Sequence, residues 1–194
     1  MILRAIILAL IAPLLAAPIY GDPVSAAPDF MPVAEFNEPV GLRGKVPGAS
    51  YAFCMAQRAL CSFVLPALPL PDDAMAILNR VNRDVNAGIA FRADEPSIDA
   101  WEIEPVAGDC EDYVVTKLAR LVAAGIPRDT LRLATAQLPD GRFHIVLVAQ
   151  TWRGSFILDN RTDAILPWRG VNYRWLAMET NGAGTAMAWH EVLP

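Results

Sequence analysis

Histidine is nearly missing from this chain: its 194 residues include two, His144 and His190. Cysteine is almost as scarce, with Cys54, Cys61 and Cys110. There is no Cys-x-x-Cys pair, and Cys110 with two histidines makes a poor zinc set, so a zinc centre is disfavoured. Positive charge is also short. The 16 Lys and Arg are outnumbered by 21 Asp and Glu, giving a net charge of −5 and a pI near 5.0. Without a basic stripe to meet phosphates, nucleic acid is excluded as a main partner. Beyond the N-terminus no apolar run approaches the roughly 20 residues of a membrane-spanning helix, so the mature chain is expected to have no membrane span. General disorder is excluded too, because 54 % hydrophobic residues and a mean hydropathy of +0.31 supply ample apolar surface for collapse. The length suits one domain.

The N-terminus carries Arg4 and then an unbroken apolar run over residues 5–17. That length fits a secretory signal and is short for a membrane span. Cleavage after Ala26 would place Val24 and Ala26 at the small-residue positions, making 1–26 a signal peptide; an uncleaved anchor is the alternative. Either way the remainder is expected to be periplasmic or otherwise exported, in an oxidising space where disulfides persist. Three cysteines cannot all pair. Cys54 and Cys61 are the natural pair, and Cys110 is left as the free thiol. Seven residues of unbroken helix rise about 10.5 Å, whereas a disulfide needs Cα atoms roughly 4.4–6.8 Å apart. The pairing therefore requires a bend between Arg58 and Cys61. Three buried, reduced cysteines are the alternative.

Residues 27–50 read as an irregular lead-in, rich in Pro, Gly, Asn and Glu, and 51–194 as a single domain. A short helix is expected over 51–63. A second begins at Asp72 or Asp73 and runs to about Asn86, with Ala74, Leu78, Val81 and Val85 at helical spacing and Met75 and Ile77 flanking them. Residues 88–104 read as a loop anchored by Trp101. A third helix runs from about Asp109 to Ala124, where Asp109 and Asp112 have capping-box spacing and Gly125 and Pro127 end it. The period then changes to two. Strands are expected over 131–136, 143–150, 154–159, 173–178 and 186–192, with a turn at Asn181-Gly182-Ala183-Gly184. Helices followed by an antiparallel meander make an α+β pattern.

Scarcity points to the chemistry. Cys110 falls in the first turn of a helix, where backbone N–H groups and the positive dipole end favour a thiolate. A thiolate needs a proton acceptor, and His144 lies on a strand soon after. With a two-residue turn at Trp152-Arg153, antiparallel pairing sets His144 opposite Arg161 and Asp159 opposite Val146. His144 and Asp159 then share one face of the sheet. A carboxylate beside a histidine fixes its tautomer and supports the imidazolium, as in a Cys–His–Asp triad. His190, with Trp189, reads as a structural residue near the end of the sheet. No motif for an organic cofactor stands out.

Trp101, then Gly108-Asp109-Cys110-Glu111-Asp112-Tyr113, then Lys117, Leu121 and Gly125, then His144-Ile145-Val146-Leu147 and Leu158-Asp159-Asn160 resemble the bacterial transglutaminase-like cysteine proteinases. The resemblance runs from about Tyr51 to His190. It implies a papain-like, transglutaminase-type core, in which a helix carrying the nucleophile packs on an antiparallel sheet. It further implies Cys110 as nucleophile, His144 as general base and acid, and Asp159 as the orienting carboxylate. Better-known members of the group are periplasmic, calcium-dependent proteases that clip a large surface adhesin, so the resemblance implies a protein substrate of that kind. It also implies a calcium site at Asp109, Glu111 and Asp112, three carboxylates suited to a hard cation. Two alternatives keep the fold: an acyltransferase that uses the same triad with an amine acceptor, and a non-catalytic binding module.

Overall fold

The computed structural model describes residues 40–63, 68–94, 99–180 and 188–192, all within one compact unit, Pro32–Pro194. The expected signal peptide and the turn at 181–184 lie outside the described residues. So do the first two residues of the expected last strand.

Each helix follows from its sequence pattern. α1, Gly48–Ala56, starts directly after Pro47. It breaks at Gln57, and the chain continues as a 3-10 turn, Arg58–Cys61. The break sits one residue before the expected bend and brings the Cys54 and Cys61 Cα atoms to 5.4 Å, where a disulfide joins them. α2, Ala74–Gly88, buries Ala74, Leu78, Val81 and Val85 along its apolar stripe. α3, Cys110–Ala123, is buried around most of its circumference, since α2 covers one flank and the sheet the other. Gly125, at φ +90, ends it, because the Gly125 N–H turns back to the Val122 carbonyl. That left-handed conformation suits glycine.

The described residues form nine strands in two separate sheets. The main sheet has seven strands: β1 Val40–Arg43, β4 Leu131–Gln137, β5 Phe143–Thr151, β6 Gly154–Leu158, β7 Leu166–Pro167, β8 Arg174–Glu179 and β9 Trp189–Val192. Their order is β1-β9-β8-β4-β5-β6-β7, with every pairing antiparallel. This corrects the simple meander expected from sequence. β4 to β7 do run in sequence, but β8 returns to the far side of β4. β4 is largely buried, and a buried strand needs a hydrogen-bonding partner on each side. Residues 40–50, read as part of an irregular lead-in, supply edge strand β1 and the start of α1. The stretch read as a loop holds β2, Ala90–Phe91, which pairs in parallel with β3, Ala107–Gly108.

Both faces of the sheet are covered. Leu131, Leu133, Ile145, Leu147 and Leu158 join the helices in the larger core. Val146, Val148, Ile157 and Met178 point to the other face, beneath Trp168, Tyr173 and Trp175. Each such side chain contributes roughly 1.5–3 kcal/mol when fully buried, so the central strands are the rigid platform for what they carry.

Candidate active site

Asp109 and Asp112 form the capping box at the start of α3. The Asp109 N–H donates to Asp112 Oδ2 at 3.2 Å, and the Glu102 N–H donates to Asp112 Oδ1 at 2.7 Å. Asp112 thus ties the helix start to the preceding loop. Cys110, half-buried, is the free cysteine. Its thiol donates to Glu111 Oε2 at 3.0 Å. Burial pushes the thiol pKa well above its ordinary value; the Glu111 and Asp109 carboxylates add to the rise, and a hydrogen bond from the Ile145 backbone opposes it. The thiolate expected from the helix end is therefore not favoured here, because burial and the adjacent carboxylates outweigh the backbone donors. Burial also raises Glu111 itself, to about 8.

β5 and β6 supply the second half of the site. Their register pairs Leu147 with Leu158 and Thr151 with Gly154. This is the register expected from a two-residue turn. His144 Nε2 lies 2.9 Å from Asp159 Oδ1, and both side chains are buried. The Tyr173 hydroxyl donates to Asp159 Oδ2 at 2.5 Å, and the Arg161 N–H donates to Oδ1 at 3.0 Å. Burial pushes the Asp159 pKa up, but His144, Tyr173 and the Arg161 N–H more than offset it and hold the carboxyl below its usual range. The Tyr173 ring meets the His144 ring edge-on at 5.9 Å. Cys110 and His144 line one cleft of about 690 Å³, together with Glu111, Trp101, Arg174 and Trp175. Cys110 and His144 thus face one space, and Asp159 holds His144 from behind it.

The acidic residues divide differently from the expected calcium set. Carboxylate oxygens of Asp94, Asp109 and Asp112 lie within 4.8 Å of one another, whereas Glu111 groups with Asp109 and the Cys110 thiol instead. Successive helical residues point about 100° apart, so Glu111 faces the cleft while Asp112 turns back under the loop. Asp94, Asp109 and Asp112 fit a hard cation in donor type and spacing, and Asp112 is almost wholly buried.

Sequence reasoning missed three contributors. Asp94 joins Asp109 and Asp112 from the loop after β2. Tyr173 lies just before β8, which is foreign to the β5–β6 hairpin it supports. Asn86, on α2, donates to the Asp159 carbonyl at 3.0 Å. No spacing rule connects these residues to the site. His190 stays outside it and meets Thr180 Oγ1 through Nδ1 at 2.8 Å.

Comparison with known proteins identifies the family. The model of the bacterial transglutaminase-like cysteine proteinases (BTLCP) matches residues 41–193. No curated protein sequence gives a significant match. Among solved structures, the EGTA-treated form of Legionella pneumophila LapG is similar at 27 % identity and a TM-score of 0.50. That likeness covers 58 % of this chain and 66 % of LapG, so the chain spans just under two thirds of that protein. The calcium-bound form of LapG shares the fold, at 24 % identity and a TM-score of 0.51, over 72 % of this chain and 80 % of that one. The family match takes in nearly every described element, and the chain belongs to the bacterial transglutaminase-like cysteine proteinases, a family of cysteine peptidases.

Proposed function

We propose that this protein is an exported peptidase that hydrolyses a peptide bond of a cell-surface protein through Cys110, His144 and Asp159. The observation that carries this reading is the buried His144–Asp159 pair, 2.9 Å apart, whose His144 lines one cleft with a thiol at a helix start. With Nε2 held by Asp159, the Nδ1 side of His144 is left to exchange a proton with the thiol. Substrate binding expels water, and the Cys110 proton passes to His144 as sulfur attacks the scissile carbonyl. The Cys110 N–H, in the first turn of α3, would stabilise the resulting oxyanion. His144 then returns its proton to the leaving amine, giving a thioester and a free amino terminus. Water, deprotonated by His144, attacks the thioester and restores the thiol with release of the carboxylic acid. Asp159 keeps its charge throughout and supports the imidazolium.

Asp94, Asp109 and Asp112 are the residues that would hold calcium, the ion seen with LapG. When bound, the ion would neutralise clustered carboxylates beside the nucleophile. Export is supported by the N-terminal apolar run and by the Cys54–Cys61 disulfide. The substrate class we favour is a large surface adhesin.

The test is cleavage of surface proteins by the purified mature chain, with new N-termini identified by mass spectrometry. Wild type should generate specific termini and Cys110→Ala none. The same termini from both proteins would overturn the reading.

A further inference from the structure

Most arginines with a fixed side chain meet a carboxylate. Arg120, Arg128, Arg142 and Arg153 pair with Glu104, Glu179, Asp140 and Asp72. Arg174, at the start of β8, differs. It lines the cleft of Cys110 and His144, is exposed, and is held by a neutral oxygen. Its Nε and Nη2 donate to Gln137 Oε1 at 3.0 and 2.7 Å. Gln137 is fixed in turn, because its Nε2 donates to the Gly141 carbonyl at 2.8 Å. An amide oxygen orients a guanidinium without cancelling its charge. The edge formed by Nη1 and the second Nη2 hydrogen stays open among the described residues, and such an edge takes both oxygens of a carboxylate.

The carboxylates that line the cleft leave that charge standing. Asp99 accepts from Trp101 Nε1 at 3.2 Å, and Glu111 accepts from the Cys110 thiol at 3.0 Å. Among the described residues neither they nor Glu191 forms an ion pair with Arg174. Lys45 also lines the cleft, but its ammonium sits on a flexible stem and lacks the planar fork.

The strand register sets the reach. Gln137 pairs with Arg174 on one side and Phe143 on the other. The three side chains therefore form a row across the ends of β8, β4 and β5, on one face of the sheet. Phe143 is 76 % exposed and lines the same cleft. The next row holds Trp175, Ala136 and His144. Neighbouring strands lie about 4.8 Å apart, so two strand spacings, about 10 Å, separate Arg174 from β5. Extended peptide covers that distance in about three residues.

We propose that Arg174 is a specificity-determining residue, and that the preferred substrate carries an aspartate or glutamate within about three residues of the scissile bond. That carboxylate takes the open edge of the guanidinium, and the Phe143 ring gives the intervening residues an apolar surface. The inference rests on the triad reading for the bond that is cut.

Its test uses peptides that alkylate Cys110, so it needs no turnover. Iodoacetyl tetraglycine extends toward the amine side of the site, and the tetraglycine chloromethyl ketone toward the acyl side, both with blocked ends. One glycine at a time is replaced by aspartate or by asparagine. At one position the aspartate peptide should react about threefold faster than its asparagine twin, with the ratio shrinking as salt is added. Arg174→Gln should bring the ratio to about one, and Arg174→Glu should invert it. Arg153→Gln, which removes a positive charge beyond the other end of β5, should keep the wild-type ratio. Equal rates for every pair in wild type overturn the proposal, as does a ratio that survives Arg174→Gln or falls as far in Arg153→Gln. A chain that shows the preference but cleaves no protein fails the triad reading alone; one that cleaves but shows no preference fails this inference alone.

Discussion

His144 Nε2 meets Asp159 Oδ1 at 2.9 Å because the β5–β6 hairpin turns in two residues, Trp152 and Arg153. A one-residue slip in this register would move one of the pair to the opposite face of the sheet. Asp159 then receives the Tyr173 hydroxyl on its other oxygen. The histidine is thus oriented by a carboxylate that is itself oriented.

That arrangement predicts graded losses. Under the proposed triad, Asp159→Asn keeps the shape but cannot hold the imidazole in the same tautomer, and turnover should fall on the order of 10⁴-fold. Tyr173→Phe removes one donor and should cost about 0.5–1.5 kcal/mol of stability, with a much smaller loss of turnover. Steady-state kinetics with thermal denaturation separates the two. Equal activity losses would argue against this order of support.

Calcium affinity should follow the carboxylate geometry and not the sequence spacing. Asp94→Asn and Asp112→Asn should each weaken calcium binding by about 10-fold or more, because each removes an anionic ligand. Glu111→Gln should leave affinity within about threefold of wild type. Isothermal titration with calcium chloride reads all three. Strong weakening from Glu111→Gln alone would restore the set expected from sequence.

Gly108→Ala is expected to damage the helix start. A Cβ there would lie 1.9 Å from Asp112 Oδ2 and 2.7 Å from Asp112 Cγ. The Asp112 carboxylate would have to leave its bonds to the Asp109 and Glu102 N–H groups. Overpacking of this kind costs about 1–3 kcal/mol, and calcium affinity should fall with it. Urea denaturation and calcium titration of one preparation check both effects.

Arg128 links the disulfide segment to the sheet. It donates to the Leu60 and Leu131 carbonyls, pairs with Glu179 at 2.8 Å and stacks on Phe63. Arg128→Ala would leave a buried carboxylate unpaired and should cost about 3–5 kcal/mol. Replacing Cys54 and Cys61 with serine should cost about 2–3 kcal/mol, since the closed loop is short. Chemical denaturation should rank the arginine variant as the less stable.

The pH dependence of stability carries the sign of Lys117. Its folded pKa of about 7 lies below the roughly 10.4 of an exposed lysine. Between those values the unfolded chain binds the proton and the folded chain does not, so the contribution of this residue to stability grows as pH rises from about 7 to about 10. The slope reaches about 1.4 kcal/mol per pH unit. Against Lys117→Met, the unfolding free energy of wild type should gain by this amount across that window. Asp159 acts at the opposite end: its lowered pKa gives stability that is present above about pH 4 and lost as pH falls through the folded value.

Much of the site was legible because local rules govern it. A capping pair, a helix-ending Gly125 and a period change after residue 130 placed Cys110 at a helix start and His144 on a strand. The parity of an antiparallel register placed Asp159 beside His144 without any tertiary information. Local signals failed where partners come from elsewhere in the chain. β1 pairs with β9, and β4 with β8, across long separations, so the meander gave way to a sheet in which β8 returns to β4. Asp94 reaches the α3 start from a loop whose sequence carries no marker of it.

The sequence by itself therefore determined the helices, the β5–β6 hairpin and the pairing of His144 with Asp159, because each depends on neighbours within one element or one turn. Only the tertiary structure decided which carboxylates cluster, that Glu111 takes the thiol's hydrogen bond, and that Tyr173 attends Asp159. Burial and charge depend on what lies opposite in space, and the linear pattern of one chain does not record that.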